Sequence, residues 1–261
     1  MNENIFHIIK PSTFLKKYRN SSNFETECLF GESFQVLKKV DLWSYGISTV
    51  DNYKGWIKSN SLSNHKIKNT HIVFSIRTFV YSKPNIKSKI LTYLPMRSKV
   101  NVLEIKDGWA KINNLNKNNN NFGFIMSSQI LEKDIIITDW VEHTKSLLSI
   151  PYRWGGRDTF GIDCSALLQL SKAFVAEKLP RDTIDQFNYF KRTEKYKIVQ
   201  NSSKQNFQKG DIVYWEGHIA IVIDNKNIIH ASGFHGEVLI ENINVALKRI
   251  NRNYFLVKLI I

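Results

Sequence analysis

The sequence predicts two small all-β barrels followed by an α+β domain, and three observations carry this prediction. First, residues 26–133 consist of short runs that alternate apolar and polar residues between turn residues, a pattern typical of barrels built from short strands. Second, the apolar spacing changes near residue 134 to a helical period. Third, helix-like segments open the remaining chain and strand-like segments close it, which favours a sheet with a helix packed on it.

The N-terminal 25 residues are polar with little apolar patterning, and we expect residues 1–25 to form an extension that packs on the body of the protein. The first barrel is predicted over residues 26–68. Three alternating segments separated by turns carry this prediction: CLFGESFQVLKKV, DLWSYGISTV and YKGWIKSNSL.

The second barrel is predicted over residues 70–133. Its last segment, NFGFIMSSQIL, is similar to DNYKGWIKSNSL of the first barrel in its order of aromatic, glycine, aromatic, isoleucine, polar residues and closing leucine. A weak internal repeat of this kind indicates two copies of one supersecondary unit. KVNVLEIKDGWAKI predicts two strands joined by a tight Asp-Gly turn, and the asparagine-rich residues 116–121 predict an exposed loop.

The α+β domain is predicted over residues 135–261. Helical spacing begins in TDWVEHTKSLLSI, with Thr138 or Asp139 as the N-cap candidate. A second helix is predicted from Cys164 and a short third helix at residues 183–190. The predicted strands are DIVYW, HIAIVID, NIIHAS, EVLIENI and NYFLVKLII.

The stretch PYRWGGRDTFGIDCS ends in an acid, a cysteine and a serine, directly before an apolar run that is competent to form a helix. Cys164 is therefore predicted in the first turn of a buried helix, where unpaired N–H groups and the positive end of the helix dipole favour a thiolate. We take Cys164 as a candidate nucleophile. Cys28 stands in a different context, so the sequence indicates no disulfide scaffold.

A cysteine nucleophile needs a histidine that takes its proton and a third group that orients the imidazole. His218 opens the predicted strand HIAIVID, and His230 ends NIIH. A hairpin that turns at residues 225–227 would bring both to one end of the sheet, with His218 as the base and His230 bound to its second ring nitrogen. A histidine at a strand end is often only a satisfied polar residue, but the order Cys, His, His favours the catalytic interpretation.

The segments PYRWGGRDTFGIDCSALLQL, LPRDTIDQ, GDIVYW, GHIAIVID and IIHASG resemble, in this order, the motifs of the NlpC-type cysteine peptidases, compact papain-like enzymes of bacterial cell-wall metabolism. The resemblance runs from about residue 138 to the end of the sequence. It implies that Cys164 is the nucleophile, His218 the base and His230 the orienting third member. It also implies that Tyr152 lies near the oxyanion, together with the Cys164 backbone N–H. Ala166 departs from the family, which usually has glycine there.

The two barrels resemble bacterial Src-homology-3-like domains, which precede the peptidase domain in a subgroup that acts on murein peptides. That subgroup, the γ-D-glutamyl-L-diamino acid endopeptidases, cleaves between γ-D-glutamate and diaminopimelate or lysine in peptides with a free N-terminal L-alanine. The resemblance implies that Glu32 and Tyr53 confine the short peptide and that Asp163 pairs with its ammonium group. It further implies that Ser165 and Thr183 line the site.

Simpler roles stay open for three of these residues. Glu32 could be a surface charge, Tyr53 a core residue, and Asp163 a cap of the helix start and nothing else. The ammonium-binding role has a physical rationale, because an internal peptide lacks that charge and would leave a buried carboxylate unpaired.

The formal charge of +14 and the pI of about 9.6 come from lysines scattered along the chain, without a basic block or a basic helix face. We therefore expect a basic, solvated surface and no nucleic-acid partner. The start of the sequence is unlike a secretory signal, and no segment approaches the ~20 apolar residues of a membrane span. We expect a cytoplasmic enzyme with free thiols that needs no cofactor, metal, membrane or obligate protein partner.

Two other functions stay open on the sequence alone. The barrels could bind peptidoglycan as a wall-binding module whose peptidase fold is secondary, which would require export. The excess of basic residues could bind nucleic acid, with an affinity that falls steeply as salt is added.

Overall fold

The computed structural model describes residues 4–65, 68–113, 122–200 and 206–260. The chain divides into two units, residues 1–135 and residues 136–261. The loop predicted at residues 116–121 lies outside the described residues.

The first barrel combines a five-stranded antiparallel sheet with a two-stranded ribbon. Its strands are β1 (Ile5–Ile8), β2 (Ser12–Leu15), β3 (Thr26–Leu29), β4 (Ser33–Val40), β5 (Trp43–Ser48), β6 (Lys54–Lys58) and β7 (Leu62–Ser63). The sheet order is β6-β5-β4-β1-β7, and β2 pairs with β3. The core includes Ile8, Leu15, Cys28, Phe34 and Ile57.

The N-terminal residues differ from the predicted extension. Strand β1 lies between β4 and β7, and Ile8 and Leu15 are completely buried. These two strands have only four residues each, which is too short for alternation to reveal them, and their partners are distant in sequence.

The second barrel has a five-stranded and a three-stranded sheet, in the orders β10-β9-β14-β13-β12 and β11-β8-β15. Its strands are β8 (His71–Val73), β9 (Arg77–Tyr81), β10 (Ile90–Pro95), β11 (Lys99–Val100), β12 (Val102–Lys106), β13 (Trp109–Asn113), β14 (Phe122–Met126) and β15 (Ile130–Glu132). The predicted tight turn is confirmed, since Asp107 and Gly108 both have positive φ between β12 and β13.

The internal repeat is also confirmed. In each barrel a strand, β6 or β14, leads through a one-turn 3-10 helix into a short strand, β7 or β15. The isoleucines at matching positions, Ile57 and Ile125, are both completely buried.

The second unit is built on a six-stranded antiparallel sheet in the order β18-β23-β19-β20-β21-β22. Its helices are α1 (Trp140–Thr144), α2 (Cys164–Lys172), α3 (Thr183–Arg192) and α4 (Ile243–Ile250). Its strands are the hairpin β16 (Arg157–Asp158) and β17 (Gly161–Ile162), and the sheet strands β18 (Tyr196–Gln200), β19 (Ile212–Trp215), β20 (His218–Val222), β21 (Asn227–Ser232), β22 (Glu237–Asn242) and β23 (Tyr254–Leu259).

Helix α2 is the buried element that positions the candidate nucleophile. All nine of its residues are buried, and it packs against β20 and β21. The hairpin of β16 with β17 was not predicted, nor were two further features of this unit. Strand β18 adds a sixth strand beside β23, and the segment EVLIENI ends β22 at Asn242, whose side chain caps α4. No helix in the described part of the chain is long and apolar enough to span a membrane.

Candidate active site

Cys164 is the first residue of α2, as the sequence predicts. Its side chain is only 6% exposed, and the backbone N–H of Ile219, the residue after His218, donates a hydrogen bond to its sulfur. The thiol therefore lies beside the start of β20. Burial, and then the neighbouring Asp163 carboxylate, raise the pKa of the Cys164 thiol to about 12. The predicted thiolate is thus opposed by burial, and the resting group is a neutral thiol.

His218 and His230 lie side by side on adjacent strands. The register of β20 with β21 pairs Ile221 with Ile229, so both histidines point to the same face of the sheet. His218 Nε2 is 2.8 Å from His230 Nδ1. His218 is partly buried and His230 is completely buried. The structure thus places Cys164 beside Ile219, the residue after His218, and places His218 beside His230.

Both imidazoles are held neutral. Burial lowers the pKa of His218 to about 3, and the positive charge of Arg249 and the proximity of His230 act in the same direction. Burial also lowers the pKa of His230 to about 4, although the Glu241 carboxylate opposes that change. A neutral imidazole next to a neutral thiol is ready to act as a general base.

Behind His230 lies a buried ion pair that the sequence did not indicate. His230 Nε2 is 3.1 Å from Glu241 Oε2, and Arg249 binds the same carboxylate through two contacts of 3.0 and 2.6 Å. Burial raises the pKa of Glu241, but the hydrogen bonds and charge of Arg249 outweigh it and leave the pKa lowered. Glu241 is therefore a carboxylate.

Asp163 is the N-cap of α2 and is surrounded by donors from the protein. Its carboxylate accepts hydrogen bonds from the Gly155 N–H (2.9 Å), the Ala166 N–H (2.8 Å), the Ser165 hydroxyl (3.1 Å) and the Arg181 guanidinium (2.6 and 3.0 Å). The capping role is thus present in the structure. A substrate ammonium would have to share a carboxylate that already accepts five hydrogen bonds.

Ser165, Tyr152 and Thr183 lie on elements around the thiol. The Ser165 hydroxyl is buried and accepts a 2.7 Å hydrogen bond from Arg181. Burial raises the pKa of Tyr152, and the nearby acidic groups of Cys164 and Asp163 raise it further. Its phenol therefore keeps its proton and can donate a hydrogen bond. Thr183 is the first residue of α3 and is partly buried.

Glu32 and Tyr53 belong to the first barrel. Glu32 is 3% exposed and its Oε2 accepts a 2.8 Å hydrogen bond from the Leu29 N–H, which rules out a simple surface charge. Tyr53 is partly buried and packs against the barrel core. Their part in substrate binding stays a prediction.

Among the residues that the structure describes, one group of side chains is close enough to hold a metal ion. His230, His235 and Glu241 each offer a ligand atom within 4.8 Å of the others. However, Arg249 already binds both oxygens of Glu241, and Ser232 is 3.0 Å from His235 Nδ1. A cation here would have to displace the guanidinium, so the geometry favours an ion pair.

Sequence reasoning missed Arg181, Glu241 and Arg249. Arg181 stands within the recognised segment LPRDTIDQ, so its place beside the site could have been suspected. Nothing in the sequence indicated Glu241. A rule that buries apolar residues would place its neighbour Ile240 inside, but Ile240 is 40% exposed and Glu241 only 8% exposed. Arg249 lies on a helix that was not predicted.

Comparison with known proteins agrees with this architecture. Residues 149–254 match the NlpC/P60 family, residues 16–62 the bacterial dipeptidyl-peptidase SH3 domain and residues 77–130 the bacterial SH3 domain. The chain carries an NlpC/P60 domain behind two SH3 domains. The predicted resemblance and fold class are therefore confirmed, and the chain is a cysteine-type peptidase.

Two curated relatives and one solved structure resemble most of the chain. Dipeptidyl-peptidase 6 of Lysinibacillus sphaericus is 24% identical over 84% of this chain and 83% of its own length. Gamma-D-glutamyl-L-lysine dipeptidyl-peptidase of Bacillus subtilis is 28% identical over 79% of this chain and 72% of its own length. An NlpC/P60 family protein from Bacillus cereus superimposes with a TM-score of 0.80 at 18% identity, over 97% of this chain and 98% of its own, which establishes the fold.

Proposed function

We propose that this NlpC/P60 peptidase hydrolyses the γ-D-glutamyl–diamino acid bond of murein stem peptides that begin with a free L-alanine. The observation that carries the proposal is the relay beside Cys164, in which His218 Nε2 lies 2.8 Å from His230 Nδ1. The names of the relatives, which specify γ-D-glutamyl-L-lysine dipeptidyl-peptidases, support the substrate class.

The neutral pair defines the first chemical step. His218 takes the proton of the Cys164 thiol through Nδ1 as the sulfur attacks the γ-carbonyl carbon, so the negative charge moves to the carbonyl oxygen. As the first residue of α2, Cys164 has a backbone N–H without an intrahelical acceptor, and this N–H and the Tyr152 hydroxyl are the donors proposed for that oxygen.

The second half of the reaction returns the proton. His218 donates it to the amine of the diamino acid, which leaves as a free amino acid or shorter peptide, and a thioester joins Cys164 to the γ-carboxyl of D-glutamate. Water, deprotonated by His218, then hydrolyses the thioester and releases L-Ala-D-Glu.

The assay uses L-Ala-γ-D-Glu-meso-diaminopimelate and its L-lysine analogue, with products identified by mass spectrometry. We expect release of L-Ala-D-Glu by the native chain and none by Cys164→Ser. Intact peptides after long incubation with native enzyme that keeps its folded circular dichroism spectrum would contradict the proposal.

Recognition of the free amine belongs to the same proposal. Asp163, Glu32 and Tyr53 are assigned to it by the family resemblance, and Ser165 and Thr183 to the lining of the site. Acetylating the N-terminal amine should lower kcat/KM far more than amidating the C-terminus. Equal rates for free and acetylated peptides would reject an ammonium site, and would leave Asp163 with only the protein contacts described above.

We further propose that the enzyme acts in the cytoplasm on wall-derived peptides during recycling. Its two cysteines are free and buried, as expected in a reducing compartment. Fractionation of cells that produce the chain tests this, with recovery in the cell-wall fraction as the contrary result.

A wall-binding role is the second candidate, and one observation favours it. The second barrel has an open cleft of about 500 Å³, lined by Pro84, Glu104, Lys106, Asp107, Trp109, Lys111 and Phe124. Aromatic rings with charges of both signs suit a sugar or a zwitterionic peptide. Cys164-independent binding to purified sacculi that Trp109→Ala weakens would support this role, and no retention would exclude it.

A further inference from the structure

We propose that Glu241 is a positioning residue that sets the tautomers of both active-site histidines, and that Arg249 holds Glu241 in place for this task. The inference rests on the proposed peptidase function and extends the catalytic machinery beyond Cys164, His218 and His230.

A series of contacts connects the two histidines, which lie near Cys164, to α4. The start of β20 adjoins Cys164, His218 Nε2 is 2.8 Å from His230 Nδ1, and His230 Nε2 is 3.1 Å from Glu241 Oε2. Arg249, on α4, donates hydrogen bonds of 3.0 Å to Glu241 Oε1 and 2.6 Å to Glu241 Oε2. The 3.1 Å contact between His230 Nε2 and Glu241 Oε2 is not a well-aligned hydrogen bond in this structure, and catalytic hydrogen bonds are often poorly aligned before substrate is bound.

The chemistry of each partner fixes where the protons lie. A carboxylate only accepts, so His230 must carry its proton on Nε2 to bond with Glu241. His230 Nδ1 is then a bare acceptor, and His218 must carry its own proton on Nε2 to bond with it. The remaining nitrogen, His218 Nδ1, is left bare and can accept the Cys164 proton.

The position of Arg249 explains why Glu241 stays deprotonated. Glu241 is the second-last residue of β22, directly before Asn242, whose side chain caps α4, and Arg249 lies in the last turn of that helix. The side chain of Glu241 is 7% exposed and that of Arg249 is 22% exposed. A buried carboxylate without this partner would tend to take up a proton and become a donor, which would permit the opposite tautomer of His230.

A purely structural role, joining β22 to α4, is the competing explanation. It predicts lower stability but unchanged histidine tautomers and an unchanged balance between kcat and KM. The two explanations therefore differ in what a substitution does to protons, and the experiment is built on that difference.

The kinetic arm uses Glu241→Met, which keeps the length of the side chain but removes the acceptor. We expect kcat on L-Ala-γ-D-Glu-L-Lys to fall by about 10²-fold, within the loss expected on removing His230 itself, with KM within about threefold. Glu241→Gln should recover much of the loss, since its carbonyl oxygen can still accept from His230. Glu237→Met, on the same strand, is the matched control and should keep the native kcat.

The spectroscopic arm needs no substrate and no turnover. Long-range ¹H–¹⁵N correlation spectra of the ¹⁵N-histidine-labelled full chain report the tautomer of each ring. In the native chain we expect the proton on Nε2 at both His218 and His230, with resonances assigned through His→Gln variants. In Glu241→Met we expect a mixture of tautomers at His230.

Two results would overturn the proposal. One is a proton on Nδ1 of either histidine in the native chain. The other is an unchanged tautomer pattern in Glu241→Met together with kcat within threefold of Glu237→Met. If the native chain shows the expected tautomers but cleaves no murein peptide, the proposed substrate fails while the positioning role stands.

Discussion

Asp163 and Glu241 are two buried carboxylates that resemble each other in isolation and differ in what surrounds them. Each pairs with one arginine, Asp163 with Arg181 and Glu241 with Arg249, through two contacts in each case. Asp163 also accepts hydrogen bonds from two backbone N–H groups, that of Ala166 in the first turn of α2 and that of Gly155 in the preceding loop, whereas Glu241 adjoins an imidazole.

The difference teaches that one type of ion pair can serve two purposes. The Asp163 pair holds the backbone on which the nucleophile is mounted, so its loss should appear mainly in stability. The Glu241 pair determines which nitrogens of His230 and His218 carry a proton, so its loss should appear mainly in kcat. The following substitutions test this division, from the largest expected effect to the smallest.

Replacing the reacting groups should cause the largest loss of kcat. Cys164→Ser and His218→Ala should each abolish turnover, a loss of about 10⁵-fold or more in kcat, because nucleophile and base act as one unit. Both variants should keep the native circular dichroism spectrum, since neither carboxylate loses a partner. Measurable turnover by either variant at a tenth of the native rate would mean that another group carries the chemistry.

Asp163→Asn breaks the structural member of the comparison. It leaves the guanidinium of Arg181, whose side chain is 1% exposed, without its counter-charge, which should lower the free energy of unfolding by about 3–5 kcal/mol. Urea unfolding followed by circular dichroism measures this change.

The matched control is Asp139→Asn, at the N-cap of α1. Asp139 also accepts a backbone hydrogen bond and pairs with a lysine, but its side chain is 53% exposed, so we expect a loss of only about 1 kcal/mol. Equal losses at Asp139 and Asp163 would show that burial of the pair with Arg181 adds nothing.

His230→Ala breaks the link between Glu241 and the base. We expect kcat to fall by about 10²-fold to 10³-fold, less than for His218→Ala, because an orienting group contributes less than the base it orients. In this background Glu241→Met should cost almost nothing further, whereas Asp163→Asn should still destabilise the chain. A double-mutant cycle on kcat gives the coupling, and additive effects of His230→Ala and Glu241→Met would contradict a shared pathway.

The last prediction concerns pH and not a substitution. The pKa values of His218 and His230 are lowered to about 3 and about 4, so the folded state keeps them neutral while the unfolded chain protonates them below about 6.5. Their contribution to stability is thus fully present above pH 6.5 and is lost as the pH falls towards 4.

The slope for these two histidines should approach about 1.4 kcal/mol per pH unit for each. Urea unfolding at pH 7 and pH 5 measures it, and His230→Gln should reduce it. A flat stability between pH 7 and pH 5 would contradict neutral buried imidazoles.

Local patterns in the sequence predicted much of this molecule. Cys164 was recognisable because an acid followed by a cysteine and an apolar run is typical of a capped helix. His218 and His230 were recognisable because both stand at the ends of strand-like segments. The order of these motifs also predicted the family. Each of these signals lies within a few residues along the chain.

What could not be predicted depends on partners distant in sequence. Arg181 meets Asp163 across 18 residues, and Glu241 meets His230 across a strand pair, so neither pairing is visible in periodicity. The strands at residues 5–15 were missed for the same reason, because burial of Ile8 is decided by β4 and β7 rather than by its neighbours.

The burial of Cys164 has a chemical consequence for how the enzyme meets oxidants and inhibitors. A neutral thiol with 6% of its surface exposed reacts slowly with peroxide and with simple alkylating agents, since both require an accessible thiolate. Oxidative damage should therefore spare the resting enzyme. For the same reason, a covalent inhibitor would need to resemble the peptide closely enough to trigger proton transfer to His218 before it could capture the sulfur.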